Sequence, residues 1–201
     1  MLDFKSYAKQ FTNKDVLDVL AQSVGGDTDK VGKATALGLP AIMEALNRNT
    51  NTEEGAQALT NALEQHKGAD TGNIKELLKN ADLKDGEKII KHVFGEKSDS
   101  VVKSISKKSG LGKDQIVKLL IQFAPAILKF LGSKKEEEEL DSNGVAGLTS
   151  VLSGLFGKSE SNSSSKPGGL LSMASSLLDD DDDDDDNDGQ DLLGLFGKLF
   201  R

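Results

Sequence analysis

The sequence predicts an all-α fold, a multi-helical array with an internal duplication, and three observations carry that expectation. Strand signals are nearly absent. With eight Phe, one Tyr and no Trp, the core falls to Leu, Ile, Val and Ala, which form or tolerate helix. The stretch SGLGKDQIVKLLIQFAPAILKFLG, from Ser109 to Gly132, is apolar on nearly every helical face. A helix of that kind belongs in a core or a bilayer, and interruptions at Lys118, Gln122 and Lys129 favour the core. Finally, that stretch has an echo about 85 positions upstream: Gly25 falls on Gly110, Asp29 on Asp114, Lys33 on Lys118, and Pro40-Ala41-Ile42 on Pro125-Ala126-Ile127. The expected unit is helix–Gly–helix–Pro–helix, present twice around one core.

The elements follow in order. Phe4, Tyr7, Ala8 and Phe11 mark a short amphipathic helix. Asn13 caps a second, to Val24, which Gly25-Gly26 ends. Asp27 or Thr28 starts a third, running through Pro40 to Leu46. Thr52 caps a fourth, with Glu53 and Glu54 complementing its N-terminal dipole, and a short fifth spans Asn73 to Asn80. In the second copy one helix runs from Gly86 to Phe94 and closes at Gly95. Ser98 caps the next, which closes at Gly110, and the apolar run completes the unit. A proline lacks an N–H, so Pro40 and Pro125 should each kink their helix or split it in two. Gly132-Ser133 ends the packed region and KKEEEE is solvated. The expected domain is therefore 1–132, with copies at about 3–48 and 86–132 and connecting helices in 53–80; 133–201 is a flexible, largely disordered acidic tail. Within that tail, residues 144–156 read as a weak helix and 158–169 as a linker.

Two segments carry a resemblance: ALGLPAIMEALNRNTNTEEGAQALTNALEQHKG and DGEKIIKHVFGEKSDSVVKSISKKSGLGKDQIVKLLIQFAPAILKFLG. Their marks are Glu54-Gly55-Ala56 to His66, Asp85-Gly86, His92-Val93-Phe94-Gly95, Ser109-Gly110-Leu111 and Ala124-Pro125. Over roughly residues 30 to 132 the chain resembles a bacterial family of unknown function, numbered nine-three-seven, related to the YidB-like helical proteins. The resemblance implies an all-helical array. It also makes Gly- and Leu-rich, sometimes acidic, tails usual, and it brings no catalytic residues. The Lys-rich second copy departs from the pattern.

The overall charge of −8 conceals an asymmetry. Residues 1–87 carry 10 basic and 14 acidic side chains, a net of −4; residues 88–135 carry 11 and 3, a net of +8; residues 136–201 carry 4 and 16, a net of −12. The basic surface is expected at Lys88, Lys91, Lys103, Lys107, Lys108 and Lys113. It holds no Arg and no aromatic platform, so nucleic acid is not the expected partner, and any binding there would be weak and salt-sensitive. The eight consecutive aspartates, Asp179 first and Asp186 last, repel one another and would hold divalent cations loosely. Asp184, Asp186, Asp188 and Gly189 match the start of a calcium loop, but the twelfth position is Leu195 in place of the closing Glu.

Catalytic and cofactor motifs are absent. The chain has no Cys, no phosphate-cradling Gly-rich loop ending in Lys-Ser/Thr and no G-x-S-x-G. His66 sits at a helix end, where a cation complements the carbonyl dipoles, and His92 falls in the His-Val-Phe-Gly element, so both are read as structural, with no metal, cofactor or catalytic residue expected. Glu44, Glu54 and Glu64 are read as solvated. The expected function is a non-catalytic helical module for protein–protein interaction or self-assembly, its tail segments docking on helical grooves. The docking face is expected at Leu192, Leu193, Leu195, Phe196, Leu199 and Phe200. Membrane attachment through the same segment is the alternative, disfavoured by the neighbouring Asp run. With no basic region and apolar core at the start, cytoplasmic residence is expected.

Overall fold

The computed structural model describes residues 4–66, 68 and 72–157. Among these the chain is helical and forms no strand: α1 Phe4–Phe11, α2 Lys14–Val24, α3 Thr28–Asn49, α4 Glu53–Gln65, α5 Ile74–Lys79, α6 Leu83–Phe94, α7 Ser98–Ser109, α8 Lys113–Glu137 and α9 Ser142–Gly157. The caps are local chemistry. The side chains of Asn13, Asp27, Thr52, Asn73 and Asp82 accept from backbone N–H groups in the first turns of α2, α3, α4, α5 and α6. Ser98 does not cap α7: it is the first residue of that helix, and its hydroxyl donates to the Gly95 carbonyl at 2.9 Å across a 3-10 turn, Gly95–Lys97.

The core is organised around α8. Every residue from 116 to 132 is buried except Lys118 and Lys129, and α2, α3, α4, α5, α6 and α7 all pack on this helix. By length and composition alone α8 could cross a membrane; the surrounding helices account for its apolar character instead. Gln122 is buried among them, and its amide donates to Ser23 Oγ at 2.5 Å. At the other end α1 docks on α8 through aromatics. The Tyr7 ring stacks on Phe130 with centroids 4.3 Å apart, Phe11 meets Phe123 edge-on at 5.4 Å, and the Tyr7 hydroxyl donates to the Ala126 carbonyl at 2.8 Å.

Neither proline divides its helix. α3 runs unbroken through Pro40 and α8 through Pro125, against the expectation of a helix–Pro–helix break. In α8 the orphaned carbonyl is that of Ile121, four residues before Pro125. Gly86 of α6 closes on that very atom: a Cβ at Gly86 would stand 2.1 Å from the Ile121 oxygen. The gap in hydrogen bonding is thus covered by a neighbouring backbone, and the rest of α8 is held by burial.

α2 and α7 each end at a glycine in the left-handed conformation, Gly25 at φ 69° and Gly110 at φ 77°, whose N–H reaches the carbonyl four residues back. α3 and α8 start 85 residues apart. Two contacts link positions 85 residues apart: a Cβ at Gly26 would lie 3.0 Å from the Leu111 side chain, and one at Gly38 would lie 3.7 Å from the Phe123 ring and 3.0 Å from Leu120. Others are reciprocal. Gln115 Nε2 donates to the Gly25 carbonyl at 2.6 Å, while the Lys30 side chain, its counterpart, lies against Gly110.

The helical body extends past the expected boundary at 132. Gly132 is buried, and a Cβ there would stand 2.9 Å from the Leu63 carbonyl at the end of α4; this glycine serves a close helix approach and not a stop. α8 continues into the KKEE sequence, where Lys134 pairs with Glu137 at 2.5 Å and Lys135 with Glu64. α9, expected as a weak helix within a loose tail, packs on α3 and α4 with Val145 and Leu152 buried, and the Thr149 and Thr50 hydroxyls meet at 3.0 Å. Thr149→Ala is expected to cost about 1 kcal/mol, the scale of one lost hydrogen bond, since the Thr50 hydroxyl keeps the Asn47 carbonyl at 2.9 Å. Urea unfolding of the full chain measures it. Residues 158–201, with the aspartate run and the expected docking face at Leu192, Leu193, Leu195, Phe196, Leu199 and Phe200, lie outside the described residues.

Candidate functional site

An open cleft of about 420 Å³ lies between α4 and α6, floored by α3 and α8. Its apolar surface comes from Leu46, Ala58, Leu59, Ala62, Ile89, Val93 and Leu128. Its polar groups are Asn49, Asn61, Gln65, Asp85, Lys88 and His92. The helical period explains the arrangement: Ala58, Leu59, Ala62 and Gln65 recur at three and four residues along α4, as Asp85, Lys88, Ile89 and His92 do along α6.

Close backbone contacts fix the walls. α4 begins hard against the end of α3, where a Cβ at Gly55 would fall 1.8 Å from the Asn49 carbonyl oxygen. Asn49 then reaches α6, its Nδ2 donating to the Val93 carbonyl at 3.0 Å. Gly86 lets α6 lie on α8. At the far end His66, which follows α4, faces Asp85 with Nε2 and Oδ2 3.4 Å apart. The carboxylate that faces His66 comes from α6.

The histidines do not share a site. His66 is half-buried beside Asp85, and His92 is exposed on the cleft rim. Among the described residues no group of three or more His, Asp or Glu side chains could hold a metal ion. Of the three glutamates read as solvated, Glu54 is exposed and Glu64 pairs with Lys135, but Glu44 is buried and held by Arg48 Nε at 3.1 Å. The six lysines of the expected basic surface are all exposed: Lys88 and Lys91 on α6, Lys103, Lys107 and Lys108 on α7, and Lys113 at the start of α8. Lys91 is paired with Glu87 at 2.5 Å. Lys88 alone of the six also lines the cleft.

Chemically the cleft is a receiver for an apolar group flanked by polar ones. Leu46 and Leu128 make its floor apolar, and around them stand an ammonium, a carboxylate, an imidazole and three carboxamides. Several residues on which the resemblance was read meet here: Gly55, Asp85, His92 and Val93 line it, and Gly86 and His66 brace it.

A family model described as bacterial protein of unknown function, DUF937, matches residues 8–134. The chain belongs to this family. The DUF937 match covers α2 to α7 whole and most of α8, so all four helices around the cleft are family elements, while α9 is an addition that follows them. No curated protein and no solved structure matches the chain.

Proposed function

We propose that this DUF937 protein is a non-catalytic helical module for protein–protein interaction or self-assembly, and that the α4–α6 cleft is where it takes hold of an amphipathic helix. The single observation that carries the reading is the cleft itself, an apolar floor open to solvent between two helices whose backbones are fixed by Gly55 and Gly86. Helix-in-groove recognition needs such a surface, with apolar anchors at i, i+3, i+4 and i+7 on the guest. The same reading treats the two halves as an internal duplication. It is supported by the matched left-handed glycines, the matched helix starts and the reciprocal contacts of Gly25 with Gln115 and Gly110 with Lys30, the pattern a two-fold relation would leave.

A charge placed on the floor tests this. Ala62→Asp is expected to weaken partner recovery or self-association by about ten-fold or more, the scale of an apolar anchor lost from a groove. Ser150→Asp, on an exposed position of α9 that does not line the cleft, should leave both unchanged. Quantitative affinity capture and sedimentation velocity read the two quantities. Equal behaviour of Ala62→Asp and the native protein would reject the cleft as the binding surface.

A further inference from the structure

We propose that the cleft between α4 and α6 is the seat of the chain's own segment 191–200, docked in cis as an amphipathic helix; this rests on the reading of the cleft as a helix-binding surface. In that segment Leu192, Leu195, Phe196 and Leu199 stand at i, i+3, i+4 and i+7, the spacing of one helical face. The sequence is competent for helix. Six of the seven residues of Leu-Leu-Gly-Leu-Phe-Gly-Lys at 192–198 recur in Leu-Ser-Gly-Leu-Phe-Gly-Lys at 152–158, and that earlier copy is helical through Gly157 as the end of α9.

Tether and charge both favour this guest. The described chain ends at Gly157 on a helix packed against α4, one wall of the cleft. Thirty-three residues, 158–190, separate it from the segment. A random coil of that length would span about 30 Å, against a radius of gyration of roughly 15 Å for a body of some 150 residues, enough to reach the cleft and present the segment at about millimolar effective concentration. The eight aspartates end five residues before Asp191; the cleft rim carries Lys88 against the single carboxylate of Asp85, and the exposed lysines Lys91, Lys103, Lys107 and Lys108 stand beyond it on α6 and α7. Seating the apolar face in the cleft lays the acidic run toward the basic segment 88–135, and covers Ala62, Ile89 and Val93.

Because the chain lacks cysteine, an engineered pair reports the docking directly. In the full chain, Ala62→Cys with Leu195→Cys is expected to form an intramolecular disulfide under mild oxidation at least ten-fold faster than Gln57→Cys with Leu195→Cys. Equal rates for the two pairs overturn the proposal, and so does a dimer-sized product, which would assign the cleft to a second copy. As a second readout, Leu195→Asp with Phe196→Asp leaves the described helices untouched and should speed hydrogen exchange in α4 and α6; unchanged exchange overturns cis docking. Failure on both readouts while Ala62→Asp still abolishes partner recovery removes the guest and leaves the cleft's function standing. An inert Ala62→Asp removes the function itself.

Discussion

Gly86→Ala is expected to destabilise the protein by about 3 kcal/mol or more, at or beyond the upper end of ordinary overpacking. The added Cβ would stand 2.1 Å from the Ile121 oxygen, 3.0 Å from its carbonyl carbon and 2.9 Å from its Cγ2. Two of those three atoms are backbone, so no rotamer change relieves the contact. α6 must lift off α8, and Ile90, Val93 and Phe94, all buried on α6, lose part of their packing with it. The loss is specific because Pro125 has already removed the N–H that would hold the Ile121 carbonyl inside its own helix. For a body of this size the midpoint should fall by roughly 6 to 12 °C. Gly147→Ala is the control. Gly147 also lies in a helix, but open space surrounds it, and alanine there should stabilise by about 0.5–1 kcal/mol through helix propensity. Thermal unfolding followed by circular dichroism compares the two. A Gly86→Ala protein melting with the native one would mean that α6 does not approach α8 so closely.

The same pair of residues shows what the sequence could and could not convey. Signals that act within one turn were legible: the caps at Asn13 and Thr52, the start of the third helix at Asp27 or Thr28, the closure at Gly25 and Gly110, and the apolar faces of the helices. Signals whose meaning depends on a distant partner were not. Pro125 read as a break because nothing local says that Gly86, 39 positions earlier, will cover the carbonyl it exposes. Gly132 read as a stop because helix ends and close helix crossings both call for glycine, and only the position of Leu63 on α4 distinguishes them. α9 was read as weak since its apolar residues are diluted by Gly, Ser and Thr. In the fold it packs on α3 and α4 with Val145, Leu152 and Ser153 buried, and Thr149 finds Thr50. The cleft was illegible for the same reason. Its walls come from four helices between Leu46 and Leu128, and each wall taken alone is an ordinary amphipathic face.

Tyr7 provides the other large effect, and it joins packing to titration. Tyr7→Ala is expected to cost about 3–5 kcal/mol, the range for removing a large aromatic from a core, because the ring is fully buried between Phe11 and Phe130. Tyr7→Phe keeps the stacking and loses only the bond to the Ala126 carbonyl, about 1 kcal/mol. The hydroxyl adds a pH dependence. Burial penalises the phenolate and pushes the Tyr7 pKa well above its ordinary value of 10.0. The unfolded chain therefore ionises first. Stability from the neutral phenol is complete below pH 10 and declines above it, by about 1.4 kcal/mol per pH unit once the unfolded phenol is ionised, until the folded group itself titrates. Lysines titrate in the same range, so the slope must be read as the difference between the native protein and Tyr7→Phe. The chain makes this measurement clean. Tyr7 is its single tyrosine and it has no tryptophan, so phenolate absorbance follows this one group. It should appear only with loss of helical circular dichroism. Phenolate forming near pH 10 in a protein that is still helical would place the Tyr7 ring in water and undo the docking of α1 on α8.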